Sequence, residues 1–182
     1  MTKYFYILII CLALNSCVNE NSTQTKTNPD QEVNHNTNPL QDNFYTTKWL
    51  TKVITDYVNS EDLKSADKNL QEVLTSDYYN YKMDAITLEY SDMTYEDFQS
   101  KWKSKYDTKY VGSGGFFTSV MDNGNVAVTL CELLYTYGDS AKVFRTVVHD
   151  NRWNTNYKFD IKIISKDNKL LIDDVREHKQ DN

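Results

Sequence analysis

The chain has 182 residues, of which 40% are hydrophobic and 25% charged, and its formal net charge is −6. This length and composition predict one packed domain with additional segments. The acidic balance argues against a nucleic-acid partner, because a phosphate-binding face requires clustered Lys and Arg. Lysines gather in residues 101–109, but Glu96, Asp97 and Asp107 dilute them. We therefore interpret that stretch as a solvated helix face.

The first 17 residues have the pattern of a secretion signal. Lys3 supplies a positive start, and residues 4–14 (YFYILIICLAL) form an apolar core of 11 residues. A membrane-spanning helix needs about 20 apolar residues, so this core is too short to span a bilayer. Residues 14–17 (LNSC) end the apolar core. This Leu-x-small-Cys sequence, directly behind a basic start and an apolar core, resembles the lipobox of bacterial lipoproteins.

The lipobox resemblance implies that residues 1–16 are removed as a signal peptide and that Cys17 is acylated on its thiol and its new amino group. The lipid bilayer would then be a partner of the mature N-terminus, because two or more acyl chains hold a protein stably on a membrane. We expect a bacterial envelope location, on the periplasmic face of the outer membrane, with the cell surface as the alternative. Only Glu20 is acidic close to Cys17, and this favours the periplasmic face.

Residues 17–43 are predicted to be the lipidated cysteine and a disordered polar linker. The tract from residue 18 onward is rich in Asn, Thr and Gln and contains both prolines of the chain. Such a composition has too little apolar surface to form a core. The folded domain is therefore predicted to comprise residues 44–182.

Neither the cysteines nor the histidines indicate a metal or a cofactor. Cys11 lies in the signal peptide, so only Cys131 could form a disulfide with Cys17 in a processed chain. Cys131 lies in a strand-like run and is interpreted as a small buried apolar residue rather than a reactive thiol. The three histidines show no metal-ligand spacing, and no cysteine cluster accompanies them. No metal site and no cofactor are predicted.

The first half of the domain shows the period of amphipathic helices. Apolar residues at three- and four-residue spacing predict helices over residues 49–58, 63–74 and 94–106. Asp42 or Asn43 can cap the first of these helices. The third helix begins with Thr94-x-x-Asp97, which resembles a capping box.

Residues 76–91 are tyrosine-rich and ambiguous between helix and strand. Ile86, Leu88 and Tyr90 alternate with polar residues as they would in a short strand. We therefore expect three helices with a short strand among them.

The second half of the domain has a period of two, which indicates β-strands. Asn123-Gly124 between apolar runs is a strong hairpin signal. Further turn residues divide the rest of the chain into an antiparallel meander. The predicted strands are residues 116–121, 126–137, 141–149, 157–163 and 170–176.

Helices followed by a meander predict an α+β fold with the helices on one face of the sheet. This order of elements resembles the nuclear-transport-factor-2-like (NTF2-like) superfamily, in which a curved antiparallel sheet wraps around a long first helix as a cone. The segments TYEDFQSKW and YKFDIKIISKDNKLLIDDV are similar to uncharacterised bacterial lipoproteins of that fold. The resemblance implies N-terminal helices packed on a curved β-meander.

The same resemblance implies a ligand pocket between the curved sheet and the helices. Some members of the superfamily, the ketosteroid isomerases among them, use an Asp base and a Tyr donor there. No catalytic residue is assigned, because the neighbouring Asp173 and Asp174 are expected to point to opposite strand faces. Candidate ligand-binding residues on the pocket strands are Tyr135, Tyr137, Arg145 and Trp153.

Three functions are consistent with the sequence. The first is a membrane-anchored lipoprotein whose noncatalytic cone domain binds a small apolar ligand or an envelope protein. The second is an envelope hydrolase or isomerase with a polar group in the cone pocket, and the third is an inhibitory or immunity-type protein. An exposed apolar patch would favour a protein partner, and a cavity with a perturbed carboxylate or histidine would favour an enzyme. The noncatalytic function leads because the sequence shows no catalytic constellation.

Overall fold

The structure is a computed structural model that describes residues 38–111, 115–117 and 125–178. Within these ranges four α-helices precede a four-stranded antiparallel sheet of order β1-β2-β3-β4, as an α+β fold requires. None of these helices is long and apolar enough to cross a membrane. The helices are α1 (Asn43–Val58), α2 (Leu63–Gln71), α3 (Ser76–Thr87) and α4 (Tyr95–Trp102). The strands are β1 (Val126–Tyr137), β2 (Ala141–Asp150), β3 (Thr155–Lys166) and β4 (Lys169–His178).

The folded region begins before residue 44. Pro39–Gln41 form a 3-10 turn, and the side chain of Leu40 is only 1% exposed. Asn38 caps this turn by accepting a hydrogen bond from the Leu40 N–H at 3.1 Å. The prediction of a disordered linker up to residue 43 is thus wrong for its last residues, because one leucine in the polar tract fills a place in the core.

α1 and α4 have the caps that the sequence predicts. Asp42 accepts a hydrogen bond from the Tyr45 N–H at 3.0 Å and so caps α1. Thr94 Oγ1 accepts from the Asp97 N–H at 3.1 Å, and the Asp97 carboxylate accepts from the Thr94 N–H at 3.3 Å. This reciprocal pair is the capping box. α4 ends at Trp102, earlier than predicted, although Tyr106 is still buried.

α2 ends at Gln71 rather than at residue 74, because the following residues pair with the sheet. The Thr75 N–H donates to the Ile172 carbonyl at 2.9 Å, and the Ile172 N–H donates to the Val73 carbonyl at 2.8 Å. A backbone that makes these bonds cannot continue the helix. The segment runs parallel to β4 at its outer edge.

The short strand predicted around residues 86–90 is wrong. α3 continues to Thr87, and Leu88–Tyr90 form a 3-10 turn. Thr75 caps α3 by accepting from the Tyr78 N–H at 3.2 Å. Tyr78 and Tyr81 are both buried on one side of this helix, so packing of tyrosines at helical spacing decides the structure here.

The four strands of the predicted meander from residue 126 onward are confirmed. Register shifts mark β-bulges twice in β1 and once between β3 and β4, and such bulges bend a sheet. Of the strand predicted at residues 116–121, Phe116 and Phe117 lie in a bend with both rings buried. Residues 118–124, which include most of the predicted hairpin turn, lie outside the described residues.

The space between the helices and the sheet is filled by aromatic rings. Phe144 and Ile161 of the sheet belong to the same buried cluster as Leu50 of α1. Tyr81 stacks on Tyr106 with ring centroids 4.4 Å apart. Stacked and edge-to-face rings add to the stability that burial provides. Further rings in this cluster are Tyr78, Phe98, Trp102, Phe116, Phe117 and Phe159.

Candidate functional site

The sheet face turned away from the helices carries a row of alternating charges. Glu132, Arg145, Asp160 and Arg176 are direct cross-strand partners on the four successive strands. Direct partners in an antiparallel sheet share one face. Phe144, which neighbours Arg145, belongs to the core, so the row lies on the opposite face.

A second row lies beside the first on the same face. It consists of Tyr135, Val143, Lys162 and Asp174, again as direct cross-strand partners. Val143 is buried but lies outside the main core cluster. It is thus covered on the side away from the helices. We call these two rows together the charged sheet face.

Asp160 is the central acid of the first row, and its side chain is 13% exposed. Its two oxygens accept from Arg145, at 3.0 Å from Nε and 3.1 Å from Nη2. This two-bond geometry is the strong form of an Arg–carboxylate pair. His178 Nε2 lies 2.8 Å from Asp160 Oδ2. Burial alone would raise the pKa of Asp160, but the hydrogen bonds from Arg145 and the nearby His178 outweigh it and lower that pKa.

Asp174 is the corresponding acid of the second row, and its side chain is 10% exposed. Arg176 Nε donates to its Oδ2 at 3.0 Å. The pKa of Asp174 is nevertheless raised, because the loss of hydration on burial outweighs the attraction of Arg176. The same arginine thus flanks both rows, as the cross-strand partner of Asp160 and the ion-pair partner of Asp174.

A β-bulge changes the predicted positions of the adjacent aspartates. Asp173 is the extra residue at the register shift in β4. Its carboxylate accepts from Lys162 Nζ at 2.8 Å and from the Thr75 hydroxyl at 3.1 Å. Lys162 is also the cross-strand partner of Asp174. The expectation that Asp173 and Asp174 point to fully opposite faces therefore fails, because a bulge interrupts the alternation.

A shallow cleft of about 20 Å³ lies over these rows. Tyr135 and Tyr137 form one wall, with their rings edge-to-face at 5.3 Å, and both are exposed. This volume is close to that of a single water molecule, so the cleft is a feature of a surface rather than a ligand cavity. Its lining residues all come from the strands: Tyr135, Tyr137, Val143, Asp160, Lys162, Asp174 and Arg176.

The structure brings together three of the four sequence-predicted site residues. Tyr135 and Tyr137 line the cleft, and Arg145 binds Asp160 in its wall. They lie on the face opposite the helices, so the expectation of a site between sheet and helices is wrong for them. Trp153 is elsewhere, in the β2–β3 turn, where it is 56% exposed and lies against the Arg152 guanidinium.

Sequence reasoning assigned no site role to the four charged residues of the cleft on β3 and β4. The alternation of Lys158, Asp160 and Lys162 with apolar neighbours already indicated one polar strand face. Their pairing with Asp174 and Arg176 depends on a register that the bulge shifts, and no signal in the sequence marked that bulge.

Two further polar groups are buried inside the helical layer. Lys82 is 4% exposed, and burial lowers its pKa to about 8, although the charge of Glu177 opposes that shift. The Tyr78 hydroxyl is buried without a hydrogen-bond partner among the described residues.

Cys131 packs against the core, and burial raises the pKa of its thiol. Among the residues the structure describes, no cluster of three His, Cys, Asp or Glu is placed to hold a metal ion.

No family model matches the sequence, and neither a curated protein nor a solved structure is significantly similar to it. The class of the domain is therefore defined by its own geometry. It is an α+β domain with an aromatic core on one side of the sheet and an ordered, charged and tyrosine-bearing surface on the other.

Proposed function

We propose that the protein is a lipoprotein of the bacterial cell envelope, held to a membrane through acylated Cys17, whose domain binds a protein partner without catalysis. The observation that carries the binding role is the pair of exposed tyrosines, Tyr135 and Tyr137, beside the ordered ion pairs of the charged sheet face. As a finer proposal, the domain is an NTF2-like cone. The helices on one sheet face and the bulges that bend the sheet support it.

At the charged sheet face and between the sheet and the helices, the available space favours a protein over a small apolar ligand. Aromatic rings fill the region between sheet and helices, and the cleft on the charged sheet face has only about 20 Å³. A drug-sized ligand needs a pocket of roughly 300 Å³ or more. A protein can bind a flat surface, and tyrosine and arginine are among the residues enriched at the energetic centres of such interfaces.

The charged sheet face is ordered before any partner binds. Arg145 is fixed by two hydrogen bonds to Asp160, and Arg176 by one to Asp174. Side chains that are already fixed lose little conformational entropy on association, so more of the contact energy remains as affinity. The exposed Leu130 lies on the same face as Arg145 by register. The face thus fits a protein surface of mixed charge with apolar contacts for Leu130 and the two tyrosines.

The hydrolase or isomerase alternative has less support. The carboxylate with the raised pKa, Asp174, already pairs with Arg176 and lies in a cleft too small for a substrate. A general acid or base must lie within hydrogen-bond reach of the group that it serves. At Asp174 Oδ2 such a group would compete with Arg176 Nε.

Site-specific photo-crosslinking in the cells that produce the protein tests the binding face. A photoreactive phenylalanine analogue replaces Tyr137 in one strain and the exposed Tyr95 of α4, as the matched control, in another. We expect one discrete protein adduct from position 137, absent from position 95, and weakened when Tyr135→Ala is added. Equal adduct patterns from both positions, or none from position 137, would contradict the proposed face.

A further inference from the structure

The end of the domain nearest the proposed tether carries exposed aromatic side chains. Phe44 and Tyr45, in the first turn of α1, are 69% and 52% exposed. Asn38, the first described residue, lies against the β1–β2 turn, with its Nδ2 3.4 Å from the Asp139 carbonyl. Lys142, at the start of β2, donates to Asn43 Oδ1 at 2.6 Å. We call this end of the domain the tether end.

A groove adjoins these aromatic residues. It has a volume of about 490 Å³, and Pro39, Tyr45 and Trp49 line one side of it. Val73 and Leu170 supply apolar surface on the other side. Tyr45 and Trp49 are one helical turn apart on α1, next to the buried stripe that contains Thr46 and Leu50. Glu72, Asn168 and Lys169 also line the groove, so the tether end combines aromatic and apolar side chains with polar and charged ones.

The charges at the tether end balance. Lys48 lies with its Nζ 4.3 Å from the centre of the Phe44 ring, where a cation and an aromatic face attract each other. Equal numbers of acids and bases leave no net field to attract an anionic surface. Around the groove, the β1–β2 turn and the β3–β4 turn, the bases are Lys48, Lys142, Lys166 and Lys169. The acids there are Asp42, Glu72, Asp139 and Asp167.

We infer that the tether end lies in the headgroup region of the bilayer that holds Cys17, with Phe44 and Tyr45 as the inserted side chains. Aromatic side chains with nearby lysines are the residues that prefer this membrane layer. The inference rests on the proposed lipid anchor. About 20 residues separate Cys17 from Asn38, and the linker that the sequence predicts there would have a mean reach of about 25 Å. Within such a reach the effective concentration of the tether end at the membrane surface is high, so even a weak contact is populated.

The opposite end of the domain would then point away from the membrane. α1 has 16 residues, and its C-cap Asn59 donates to the Val126 carbonyl at 2.9 Å. Val126 pairs with Asp150 at the end of β2, next to the turn that contains Trp153. A helix of this length measures about 24 Å, so Phe44 and Trp153 mark the two ends of the domain.

Depth-dependent fluorescence quenching of the full acylated chain tests this orientation. The protein is reconstituted into phosphatidylcholine vesicles whose acyl chains carry bromine close to the headgroups. Two variants share Trp49→Phe and keep the buried Trp102. One adds Phe44→Trp and Trp153→Phe, and the other retains Trp153. We expect about a twofold loss of the exposed-tryptophan fluorescence in the first variant and none in the second, with no change on adding salt because the charges balance.

The result distinguishes this inference from the anchor on which it rests. Protein that floats with the vesicles but shows no quenching in the Phe44→Trp variant overturns the membrane contact and leaves the anchor intact. Protein that does not float overturns both. A chain that carries only Trp153→Phe provides a second reporter, since its native Trp49 lines the groove beside Tyr45. Unquenched Trp49 in the floating protein would also refute the contact.

Discussion

Lys82 is a buried cation in a layer of aromatic side chains. Glu177 is the cross-strand partner of Phe159 and thus lies on the core face of β4, where its charge acts on Lys82. Burial lowers the pKa of Lys82 to about 8, because the charged form loses hydration. A lysine in an unfolded chain has a pKa near 10.4. The folded and unfolded chains therefore bind different numbers of protons between these two values.

This difference predicts that stability increases with pH between about 8 and 10. In that window the unfolded chain binds more protons, so the free energy of unfolding increases by about 2 kcal/mol from Lys82 alone. Replacing Lys82→Met should remove this increase. Urea denaturation of both proteins at several pH values measures this change in the free energy of unfolding. Cys131 and the tyrosines are present in both proteins, so their contributions cancel when one pH profile is subtracted from the other. Parallel pH profiles for the two proteins would contradict the assignment.

At the level of secondary-structure elements, the sheet is stabilised across its strands as well as by its core. Asp160 connects β2 and β3 through Arg145, and it connects to β4 through His178. By contrast, the ion pair between Lys52 and Asp56 lies along one helix with both side chains mostly exposed. Exposed pairs contribute at most about 1 kcal/mol, whereas loss of one partner from a buried pair leaves an uncompensated charge.

Asp160→Asn should therefore lower the free energy of unfolding by about 1–3 kcal/mol, since Arg145 then loses its two hydrogen bonds to a carboxylate. The matched control Asp56→Asn should change it by less than about 0.5 kcal/mol. Chemical denaturation at neutral pH measures both variants. The role given to Asp160 would be wrong if the two substitutions cost the same.

The elements that the sequence predicted correctly are those whose ends carry local signals. The first turn of α1 and the Thr94–Asp97 box are set by side chains within four residues, and glycine or asparagine turns separate the strands. α3 was ambiguous because its period depends on which tyrosines are buried. The bulge at Asp173 depends on pairing between two strands. A local sequence pattern does not specify long-range packing or strand register, and these decide which charged residues line the cleft.

At the scale of the whole molecule, the N-terminal region and the domain are predicted to have separate tasks, attachment and binding. The lipobox-like sequence predicts attachment from four residues, because processing and acylation act on a local motif. The predicted binding residues Tyr135 and Tyr137 do lie together, on the sheet face away from the helices, a choice of face that the sequence left open. Which face of a strand is buried depends on where the helices pack, and strand periodicity alone does not specify it.

Cys17→Ser should release the whole protein from the membrane. Without the thiol no lipid can be attached, so we expect loss of radiolabelled fatty acid from the protein and its recovery in the soluble fraction. The matched control Cys131→Ser should keep both the label and the membrane location, because Cys131 packs against the core of the domain. Retention of the Cys17→Ser protein in the membrane fraction would refute the lipid anchor.

The buried Leu40 also has a mechanical consequence. Its 3-10 turn is where the polar tract meets the domain, and it packs beside α1, β3 and β4. Tension along a membrane tether would act on this turn before it reached the hydrogen-bonded strands. Under tension Leu40 would thus leave its buried position first, and the tether would lengthen by a few residues while the sheet stays intact. The protein would have a short extensible element in series with its anchor.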